Sequence, residues 1–484
     1  MGEAAAREGF GRLPWIALYT AIAASPLALL ALGDAPRPRG LAVEIAAGLG
    51  YVALALLSLQ LAVGARIRRV VNAIGLDAAL LFHRQAGLWA AAFVAGHVLL
   101  LIAAEPWYAG RLLDVRVNAP HAIAMWIALA AIALLVLVPR QLTRLRIPYE
   151  AWRVGHGLLA IAVTAIALWH ALSLGRSTAT TAEQGALTAL VGGGAALLFV
   201  ARVLRPLAQL RRPWRVAEVR EEVRGVFTLV LEAVGHDGLR FRPGQSVWLT
   251  LGRSPFSPQQ HPFTVASSAE SPARVELTIK ELGDFTRGIG RTKRGTRAFL
   301  AGPYGALALD LRSRRPLVCV AGGIGVTPMM SMIRTLRDRG DERPVLLVYA
   351  AGTIDRIAFA SELEDLARTT NLHIATVLES PPPGWTGEHG SLGREHLDRH
   401  LSAAYEDADI FVCGPEPMMN VVERALRDRG VRGDRIHVEH FALVGSRPPG
   451  SRSIRELRAR AVAAGVALLL LAAVVAVAAA RVAS

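Results

Sequence analysis

The sequence predicts a multidomain membrane protein built from an all-α bundle of six transmembrane helices, an antiparallel β-barrel, an α/β domain with a parallel sheet, and an extra C-terminal transmembrane helix. The chain has 484 residues and is 52% hydrophobic, and the excess apolar residues lie in continuous runs, which favours membrane spans over one large soluble core. After Pro213, short segments rich in Val, Leu and Thr alternate with Gly and Pro turns, as in a small barrel. From Pro316 the pattern becomes strand, glycine turn and helix, which indicates parallel βα units. We place the parts at 1–205 (bundle), 206–312 (barrel), 313–445 (α/β domain), 446–460 (linker) and 461–480 (C-terminal helix).

Apolar runs fill the chain as far as Val203, and each is long enough to cross about 30 Å of hydrocarbon. The six runs cover 13–32, 41–63, 76–103, 119–138, 152–174 and 185–203. A signal peptide is the alternative for the first run, but its apolar stretch is longer than a typical signal h-region. The last run, Ala461–Ala480, lacks a polar face, which favours a seventh span over a helix lying on the membrane surface. This extra span is a possible contact for a membrane or periplasmic partner.

The net charge of +15 comes almost entirely from arginine, since the only lysines are Lys280 and Lys293. Many of these arginines cluster at the ends of the apolar runs, which indicates membrane topology and not a nucleic-acid-binding face. Twelve arginines lie on one side of the predicted spans and five on the other. The positive-inside rule therefore predicts a cell-membrane protein whose 206–445 region is cytoplasmic. The two cysteines, Cys319 and Cys413, form no disulfide framework.

Four histidines stand at equal spacing in two of the apolar runs. His83 and His97 lie in the third run, and His156 and His170 lie in the fifth. The two histidines of each run are fourteen residues apart. At about 100° per residue, fourteen steps end roughly 40° short of four full turns, so both histidines of a helix share a face. Two such helices side by side would pair His83 with His156 near the inner surface and His97 with His170 near the outer surface. Facing imidazoles in hydrocarbon predict two bis-histidine haem sites.

Other polar residues lie near these histidines. Arg84 and Arg153 adjoin the predicted inner pair, and a charge at that depth must be paired or must extend to the membrane surface. Haem propionates would be suitable anions, and extension to the cytoplasmic surface explains both arginines as well. His121, near the outer end of the fourth run, has no partner at the same spacing and is predicted to be a surface histidine.

The motifs around the four histidines resemble a known transmembrane family. The stretch 82–88, FHRQAGL, with His97 later, resembles the third span of the ferric-reductase-like transmembrane family, and 149–156, YEAWRVGH, with His170 later, resembles its fifth span. The family includes ferric reductases and NADPH oxidases, whose members carry two b-type haems. The resemblance implies that all four histidines are iron ligands.

The barrel region carries motifs that resemble the FAD domain of the ferredoxin-NADP-reductase superfamily. Two short motifs are 242–245, RPGQ, and 302–305, GPYG. The cofactor prediction depends on two longer motifs, first 261–268, HPFTVASS, and second 278–286, TIKELGDFT. The resemblance implies that Thr264 hydrogen bonds near flavin N5, the atom that receives hydride, and that the second of those motifs holds the pyrophosphate with backbone amides. The implied FAD-binding residues are His261, Pro262, Phe263 and Thr264, with Gly283, Asp284, Phe285 and Thr286.

The α/β domain carries a glycine loop between its first strand and helix. Glycines let a backbone approach a pyrophosphate, and Thr327 is the predicted N-cap of a helix with Pro328 at its first position. The resemblance extends here and implies that Cys413 lies near the hydride-carrying carbon and that Phe441 covers the flavin ring; the alternative for Cys413 is a small buried residue. The implied NAD(P)H-binding residues are Gly323, Gly325, Thr327, Pro328, Cys413, Gly414 and Pro415.

Together the motifs predict an NAD(P)H-dependent flavocytochrome. Electrons would pass from cytosolic NAD(P)H through FAD and the two haems to an acceptor on the outer side, either oxygen or a ferric chelate. A haem-bearing membrane sensor, or a subunit that supplies electrons to a periplasmic partner, is the alternative. The choice between NADH and NADPH stays open, because Gly352 stands where NADPH-selective relatives carry an arginine, while Asp355 and Arg356 favour opposite cofactors.

Overall fold

The computed structural model describes residues 3–32, 40–108, 110, 114–142, 144–174, 178, 180–439 and 452–482. The chain divides into two compact units. The helical unit comprises Leu13–Ile67, Ala78–Arg205 and Arg452–Ser484. The sheet unit comprises Met1–Arg12, Arg68–Asp77 and Pro206–Ser451.

Apolar helices dominate the chain as far as Leu210. In chain order they are α1 (Glu3–Ala24), α2 (Leu27–Leu32), α3 (Leu41–Gly64), α4 (Arg68–Ile74), α5 (Leu76–Ala104), α6 (Val115–Leu137), α7 (Tyr149–Leu174), α8 (Thr181–Phe199) and α9 (Arg205–Leu210). A π-helical turn, Val200–Leu204, joins α8 to α9. The side chain of Thr180 and that of Glu183 form a reciprocal capping box at the start of α8, which satisfies amides that a helix N-terminus leaves without partners.

Six helical stretches within the described chain are long and apolar enough to cross a membrane. They are Leu41–Gly64, Ala78–Ala104, Val115–Arg140, Tyr149–Ser173, Thr181–Leu210 and Ala459–Val477. Five of them correspond to the second to sixth predicted runs, and the last corresponds to the extra C-terminal helix. The chain is therefore a multi-pass protein by the length and apolar character of its helices.

The first apolar run differs from the prediction of one continuous span over 13–32. The chain forms α1 and α2 with a turn at Ser25 and Pro26, and the apolar helical stretch Pro14–Leu29 is shorter than the six spans. Proline has no amide hydrogen to continue the helical ladder, and its ring clashes with the preceding turn. The run is consequently interrupted where Pro26 enters the helix.

The first part of the sheet unit is a six-stranded antiparallel sheet in the order β4-β3-β6-β1-β2-β5. Its strands are β1 (Trp214–Val223), β2 (Val226–Ala233), β3 (Ser246–Leu251), β4 (His261–Thr264), β5 (Arg274–Lys280) and β6 (Arg297–Tyr304). An isolated bridge joins Val265, just after β4, to Leu277 in β5 at the opposite edge of the sheet. Valine and leucine side chains from β2, β3 and β5 form the buried core, so the predicted strands over 226–231, 246–251 and 275–279 are confirmed.

The second part is a six-stranded parallel sheet in the order β10-β9-β8-β7-β11-β12. Its elements are β7 (Leu317–Gly322), α10 (Val326–Asp338), β8 (Val345–Ala351), α11 (Ala360–Thr369), β9 (Leu372–Leu378), β10 (Glu388–His389), α12 (Arg394–His400), β11 (Asp409–Cys413), α13 (Glu416–Asp428) and β12 (Ile436–Val438). One buried cluster contains side chains of α10 and α11, and another contains those of α12 and α13. The predicted α/β domain with a parallel sheet is therefore confirmed, and its helices lie on both faces of that sheet.

The last element, α14 (Arg452–Val482), begins earlier than the sequence predicted. The linker expected over 446–460 is helical from Arg452 onward, and its first residues lie outside the described chain. The last glycine and proline of the linker precede Arg452, and the stretch that follows is rich in arginine, glutamate and leucine, which favour helix. The C-terminal helix thus includes a charged first turn ahead of its apolar segment.

The helical unit is built around α3, on which α8 and α14 both pack, while α6 packs against α7. Buried side chains of α3, α5 and α14, together with Ala23 and Leu27, form its largest apolar cluster. This arrangement places α5 and α7, the helices that carry the four histidines, within one bundle.

Candidate functional site

One histidine pair joins the N-terminal halves of α5 and α7. The rings of His83 and His156 have centroids 6.1 Å apart and planes at 61°. Their Nδ1 atoms are buried and find no hydrogen-bond partner in the described part of the chain. The ring of Trp152, one turn before His156, packs against it at 5.0 Å. Aromatic packing thus surrounds a pair that the sequence expected to be partners.

The second pair joins the C-terminal halves of the same two helices. The rings of His97 and His170 have centroids 6.2 Å apart and planes at 81°. The Nδ1 atom of His97 lies 2.7 Å from the carbonyl oxygen of Ala46 in α3. The Nδ1 atom of His170 lies 3.1 Å from Nε2 of His121 in α6. Both rings are therefore held through their Nδ1 atoms by residues outside the pair.

The structure contradicts the interpretation of His121 as a surface histidine. Its ring centroid lies 5.0 Å from that of His170 and 5.2 Å from that of Trp169, in the packing between α6 and α7. No spacing relation pointed to this contact, because His121 is the only histidine in the sequence of its helix. A histidine inside an apolar span is itself uncommon, and that was the available signal.

The spacing of each pair fits a single metal between two imidazoles. Nitrogen ligands stand about 2 Å from a transition metal, so two rings on opposite sides of it have centres roughly 6 Å apart. Two histidines alone are too few for a bare ion, and the described residues contain no group of three or more His, Cys, Asp or Glu that could hold one. A haem supplies four more nitrogens in its own plane, so the donor set fits a bis-histidine haem.

The two arginines near the inner pair differ in their surroundings. Arg84 is exposed, whereas Nη1 of Arg153 is buried without a hydrogen-bond partner among the described residues. Arg202, in the π-helical turn, lies close enough to Arg153 for the two charges to repel each other. The buried Nη1 of Arg153, beside another cation, would be stabilised by an anion. Glu150 lies close enough to Arg153 to act on its charge, and a haem propionate is a suitable partner for Nη1, whereas the exposed Arg84 fits extension to the surface. The sequence analysis did not identify Arg202.

The predicted flavin-facing motif forms β4 and pairs with β3 through Trp248↔Pro262 and neighbouring positions. Thr264, at its end, is buried with 5% exposure. The ring of His261 stacks on that of Phe285 with centroids 4.0 Å apart, and the ring of Phe263 is 6.2 Å from the same phenylalanine. The structure therefore brings the two predicted FAD-binding motifs together at one edge of the antiparallel sheet.

The predicted pyrophosphate turn is partly closed on itself. The side-chain oxygen of Thr286 accepts hydrogen bonds of 2.8 Å from the amides of both Leu282 and Gly283. The Gly283 amide is therefore engaged within the turn, contrary to its expected role as a donor to a cofactor. Asp284 is fully exposed and forms an ion pair with Arg287 at 3.5 Å. Residues 284–286, at the start of a short 3₁₀ helix, carry the rest of that prediction.

The predicted nicotinamide site lies where β7 and β11 end side by side. The strand order places β8 and β11 on opposite sides of β7, so the chain reverses direction across the sheet there, and ligands of α/β proteins bind at such a point. A Cβ on Gly325 would lie 2.3 Å from the carbonyl oxygen of Cys413. A Cβ on Gly414 would lie 2.9 Å from the amide nitrogen of Gly322. Only glycine permits this approach of the two loops.

The helix after this loop starts two residues earlier than predicted, at Val326 instead of Pro328. Gly325 precedes α10, so Thr327 lies in its first turn and Pro328 follows. The hydroxyl of Thr327 donates to the carbonyl of Ile324 at 3.1 Å and is not an N-cap acceptor. A tight 3₁₀ turn over Gly323–Gly325 runs directly into the helix, so the helix begins nearer the N-terminus of the chain than the sequence predicted.

Both cysteines are fully buried. Burial raises the pKa of the Cys319 thiol, and its side chain packs in the core of the sheet. Cys413 belongs to the same apolar cluster, so its side chain points into the core while its main chain borders the loop at Gly325. The structure thus supports the alternative of a small buried residue for Cys413, while its proximity to the hydride-carrying carbon stays a prediction.

The C-terminal segment of the sheet unit approaches the antiparallel sheet. A Cβ on Gly305 would lie 3.2 Å from a carboxylate oxygen of Glu439. Glu439 follows β12, the edge strand of the parallel sheet. Phe441, the predicted cover of the flavin, lies outside the described residues.

A polar seam between the two sheets was not predicted. Arg334 of α10 is 6% exposed and donates to Glu362 at 2.7 and 2.5 Å, to Glu276 of β5 at 3.2 Å and to the carbonyl of Ala266 at 2.8 Å. Burial alone would lower the pKa of Arg334, but the bonds and charge of Glu362, with the charge of Glu276, raise it. The Ser331 hydroxyl donates to the carbonyl of Ser267 at 2.8 Å. We name the α10 contacts with 266–269 and Glu276 the α10 seam.

The region after β8 bears on the choice of nicotinamide. Asp355 and Arg356 are both exposed in a short 3₁₀ turn. A hydrogen bond from the Thr353 side chain lowers the pKa of Asp355, so this residue is an anion near neutral pH. Its charge opposes a 2′-phosphate while the charge of Arg356 favours one.

Three family models match the chain in the order in which these features occur. The ferric reductase like transmembrane component matches residues 49–167, the FAD-binding domain matches 226–308, and the oxidoreductase NAD-binding domain matches 319–424. The first match contains His83, His97 and His156 and ends just before His170. The FAD-binding and NAD-binding matches contain both predicted FAD motifs and the predicted nicotinamide loop.

Curated relatives match part of the chain. The flavohemoprotein of Deinococcus radiodurans is 32% identical over 246 residues, which is 48% of this chain and 59% of the relative. NADH-cytochrome b5 reductase 1 of Aspergillus terreus is 31% identical over 177 residues, covering 35% of this chain and 60% of the relative. The chain thus spans about three fifths of the length of these relatives.

A solved structure shows a similar part. The Flavohem-like-FAD/NAD binding domain of nitric oxide dioxygenase from Vibrio cholerae O1 biovar El Tor aligns with a TM-score of 0.43 and 23% identity, covering 48% of this chain and 98% of that one. The three family models carry the assignment. The domain content of the chain matches a fusion of the ferric reductase and NADPH oxidase type, in which a ferric-reductase-like transmembrane domain is followed by a ferredoxin-NADP-reductase-like FAD and NAD module.

Proposed function

We propose that the chain is a transmembrane flavocytochrome that moves electrons from NAD(P)H through FAD and two b-type haems to an acceptor on the outer side of the cell membrane. Two facing histidine pairs, at 6.1 and 6.2 Å, carry this proposal because they lie in a chain that also has FAD-binding and NAD-binding domains. When bound, FAD accepts a hydride and releases its electrons singly, as the one-electron chemistry of haem requires.

The four histidines would hold the two haems as iron ligands, one facing pair for each haem. Nε2 of each ring binds metal when Nδ1 carries the proton, and a hydrogen-bond acceptor at Nδ1 fixes that tautomer. The carbonyl of Ala46 supplies such an acceptor to His97, and Nε2 of His121 supplies one to His170. Arg153 would bind a propionate of the inner haem, since its buried Nη1 has no partner among the described residues.

The sheet unit would bind the flavin and the nicotinamide. His261, Pro262, Phe263 and Thr264 would line the flavin, with Thr264 donating a hydrogen bond near its N5 atom. Amides of 284–286 would contact the pyrophosphate of FAD. The loop from Gly323 to Pro328 and the segment Cys413–Gly414–Pro415 would bind NAD(P)H, and Phe441 would cover the flavin until nicotinamide displaces it.

The orientation follows from the positive-inside rule. The side of the spans that carries twelve arginines would face the cytoplasm, which places the sheet unit there. His83 and His156 then form the inner site and His97 and His170 the outer site. Electrons would leave from the outer site, where oxygen or a ferric chelate would accept them.

Anaerobic addition of NADH or NADPH to the purified full-length chain, loaded with FAD and haem, tests the proposal. We expect the haem absorbance to change from the ferric to the ferrous form with at least one of the two nucleotides. The two nucleotides compared at equal concentration give the cofactor preference. A chain that holds both haems and FAD but shows no haem reduction with either nucleotide would disprove the electron-transfer function.

The acceptor is tested on the reduced protein. Reoxidation of haem is followed after mixing with oxygen or with ferric citrate in separate experiments. Faster reoxidation by oxygen, with formation of superoxide or peroxide, supports an oxidase. Faster reoxidation by ferric citrate, with formation of ferrous iron, supports a metalloreductase.

A further inference from the structure

The C-terminal helix α14 has one face of buried residues, of which all but Leu468 are small, and one face of large exposed ones. The buried positions recur every three or four residues and are Ala461, Gly465, Leu468, Ala472 and Ala476. The exposed positions include Val462, Val466, Leu470 and Val474. Small residues four apart let helix backbones approach closely within a membrane. The small face is therefore used for packing inside the chain.

Two glycines show how close this packing is. A Cβ on Gly465 would lie 2.0 Å from Cε2 of Trp89 in α5, so the indole occupies the place of a side chain. A Cβ on Gly48 of α3 would lie 3.5 Å from the Cβ of Ala472. The helix α14 thus contacts α3 and α5 at once, and larger residues at these positions would push the helices apart.

The helix α3 also contacts His97, through a face different from the one that packs on α14. The carbonyl of Ala46 binds Nδ1 of His97 at 2.7 Å, and a Cβ on Gly50 would lie 3.0 Å from that nitrogen. Ala46 and Gly50 are four residues apart and so share a face of α3. Gly48, between them, faces α14. A shift of α3 would therefore change the hydrogen bond that orients His97.

We propose that α14 is an internal brace that fixes the separation of α3 and α5 and so positions His97 as a ligand of the outer haem. The proposal rests on the proposed function, since His97 is taken as an iron ligand. The extra helix would then support the chain's own electron transfer, because its buried face is already in contact with α3 and with Trp89. Gly465 and Ala472 are positioning residues, which act on the haem through α3 and α5.

Gly465→Leu in the full-length chain tests the brace. The variant is compared with wild type for haem per flavin, for the midpoint potential of each haem in a redox titration, and for flavin reduction by NADH and NADPH. Val474→Leu is the matched control, because Val474 is 64% exposed on the opposite face of the same helix. We expect Gly465→Leu to shift the outer haem's potential or to reduce haem from two per flavin towards one, with the inner haem and flavin reduction unchanged.

A compensating change gives the second measurement. Trp89→Ala removes the indole that Gly465 contacts, so we expect Gly465→Leu combined with Trp89→Ala to recover the outer haem relative to Gly465→Leu alone. Should Gly465→Leu not accumulate, Ala472→Val makes a smaller change on the same face, and we expect it to shift the outer haem alone.

Two results would overturn the brace: a folded Gly465→Leu or Ala472→Val protein whose outer haem matches wild type, or equal changes in both haems. A wild-type chain that takes up no haem would instead disprove the proposed function. The first measurement on wild type therefore separates the failure of one proposal from the failure of the other.

Discussion

The two histidine pairs have nearly the same ring separation, 6.1 and 6.2 Å, but different surroundings. The His97/His170 pair has a hydrogen-bond partner at each Nδ1 atom, supplied by α3 and by α6. The Nδ1 atoms of the His83/His156 pair are buried with no such partner in the described chain. The helices α5 and α7 therefore set the ring separation of both pairs, while, among the described residues, neighbouring helices hydrogen bond to the rings of the His97/His170 pair alone.

This difference has an electrostatic consequence. When one imidazole nitrogen binds a metal and the N–H of the other nitrogen donates a hydrogen bond to an acceptor, the ring becomes a stronger electron donor to the metal. The outer iron would gain this donation at both ligands, and the inner site would depend on nearby charge, above all that of Arg153. The two haems are thus expected to respond to different substitutions.

Removal of a ligand gives the largest expected effect. His97→Ala should eliminate the outer haem and reduce acceptor turnover to background, because iron loses an axial bond. His83→Ala should eliminate the inner haem instead. Haem per flavin and the absorbance of the remaining haem are measured, with flavin reduction by nicotinamide as the control that should survive. Retention of both haems in His97→Ala would show that the pairing is wrong.

Removal of the partner of His170 should have a smaller effect on the outer haem alone. His121→Ala removes the acceptor at Nδ1, which should raise the outer midpoint potential and weaken haem binding by roughly 10–100-fold, as for other partners of metal-ligating histidines. His121→Gln keeps an acceptor, so its outer-haem midpoint potential should lie between that of His121→Ala and that of wild type. A redox titration with both haems resolved makes the inner haem the internal control, and an equal shift of both would contradict the comparison.

Removal of the charge of Arg153 should affect the inner haem and leave the outer haem unchanged. Arg153→Met should weaken inner haem binding by about 10-fold, the effect of losing one charge-assisted hydrogen bond. Arg84→Met is the matched control, since Arg84 is exposed on the preceding ligand helix, and should change binding little. Haem titration of the two apoproteins measures the difference. Equal losses in both variants would count against Arg153 as the propionate ligand.

A single methyl group should produce the smallest effect. Gly50→Ala places a Cβ about 3.0 Å from Nδ1 of His97, so the ring must move by a few tenths of an ångström. We expect a shift in the spectrum of the outer haem without loss of haem. Gly64→Ala, on the same helix with nothing within 4 Å of the added Cβ, should leave both spectra unchanged. Low-temperature absorbance spectra of the reduced proteins provide the measurement.

Regular patterns in the sequence were sufficient for the membrane spans and the histidine pairs. The equal spacing of the histidines in two helices identified which rings face each other, because helical geometry relates spacing to direction. The partners of the outer pair were not predictable in this way. A backbone carbonyl such as that of Ala46 has no residue-type signature, and His121 lies on a helix with no spacing relation to α7.

Local turn chemistry limited the rest of the prediction. Pro26 breaks the first apolar run although hydropathy alone suggested one span. The side chain of Thr286 occupies the amide of Gly283, which a motif match does not reveal. The ionic contacts of Arg334 with Glu276 and Glu362 connect residues far apart in the chain, and no local pattern relates them.

The α10 seam has a consequence for how nicotinamide enters and leaves. Arg334 is tied both to Glu362 on its own side and to Glu276 and Ala266 on the antiparallel sheet. Opening the two sheets like a hinge would separate Arg334 from Glu276 and from the carbonyl of Ala266, while its pair with Glu362 would persist. Each of the lost hydrogen bonds to a charged group contributes about 1.5–3 kcal/mol. These contacts oppose a hinge motion between the two sheets, so exchange of a bound nucleotide would be expected to use local chain motion at the carboxyl ends of β7 and β11.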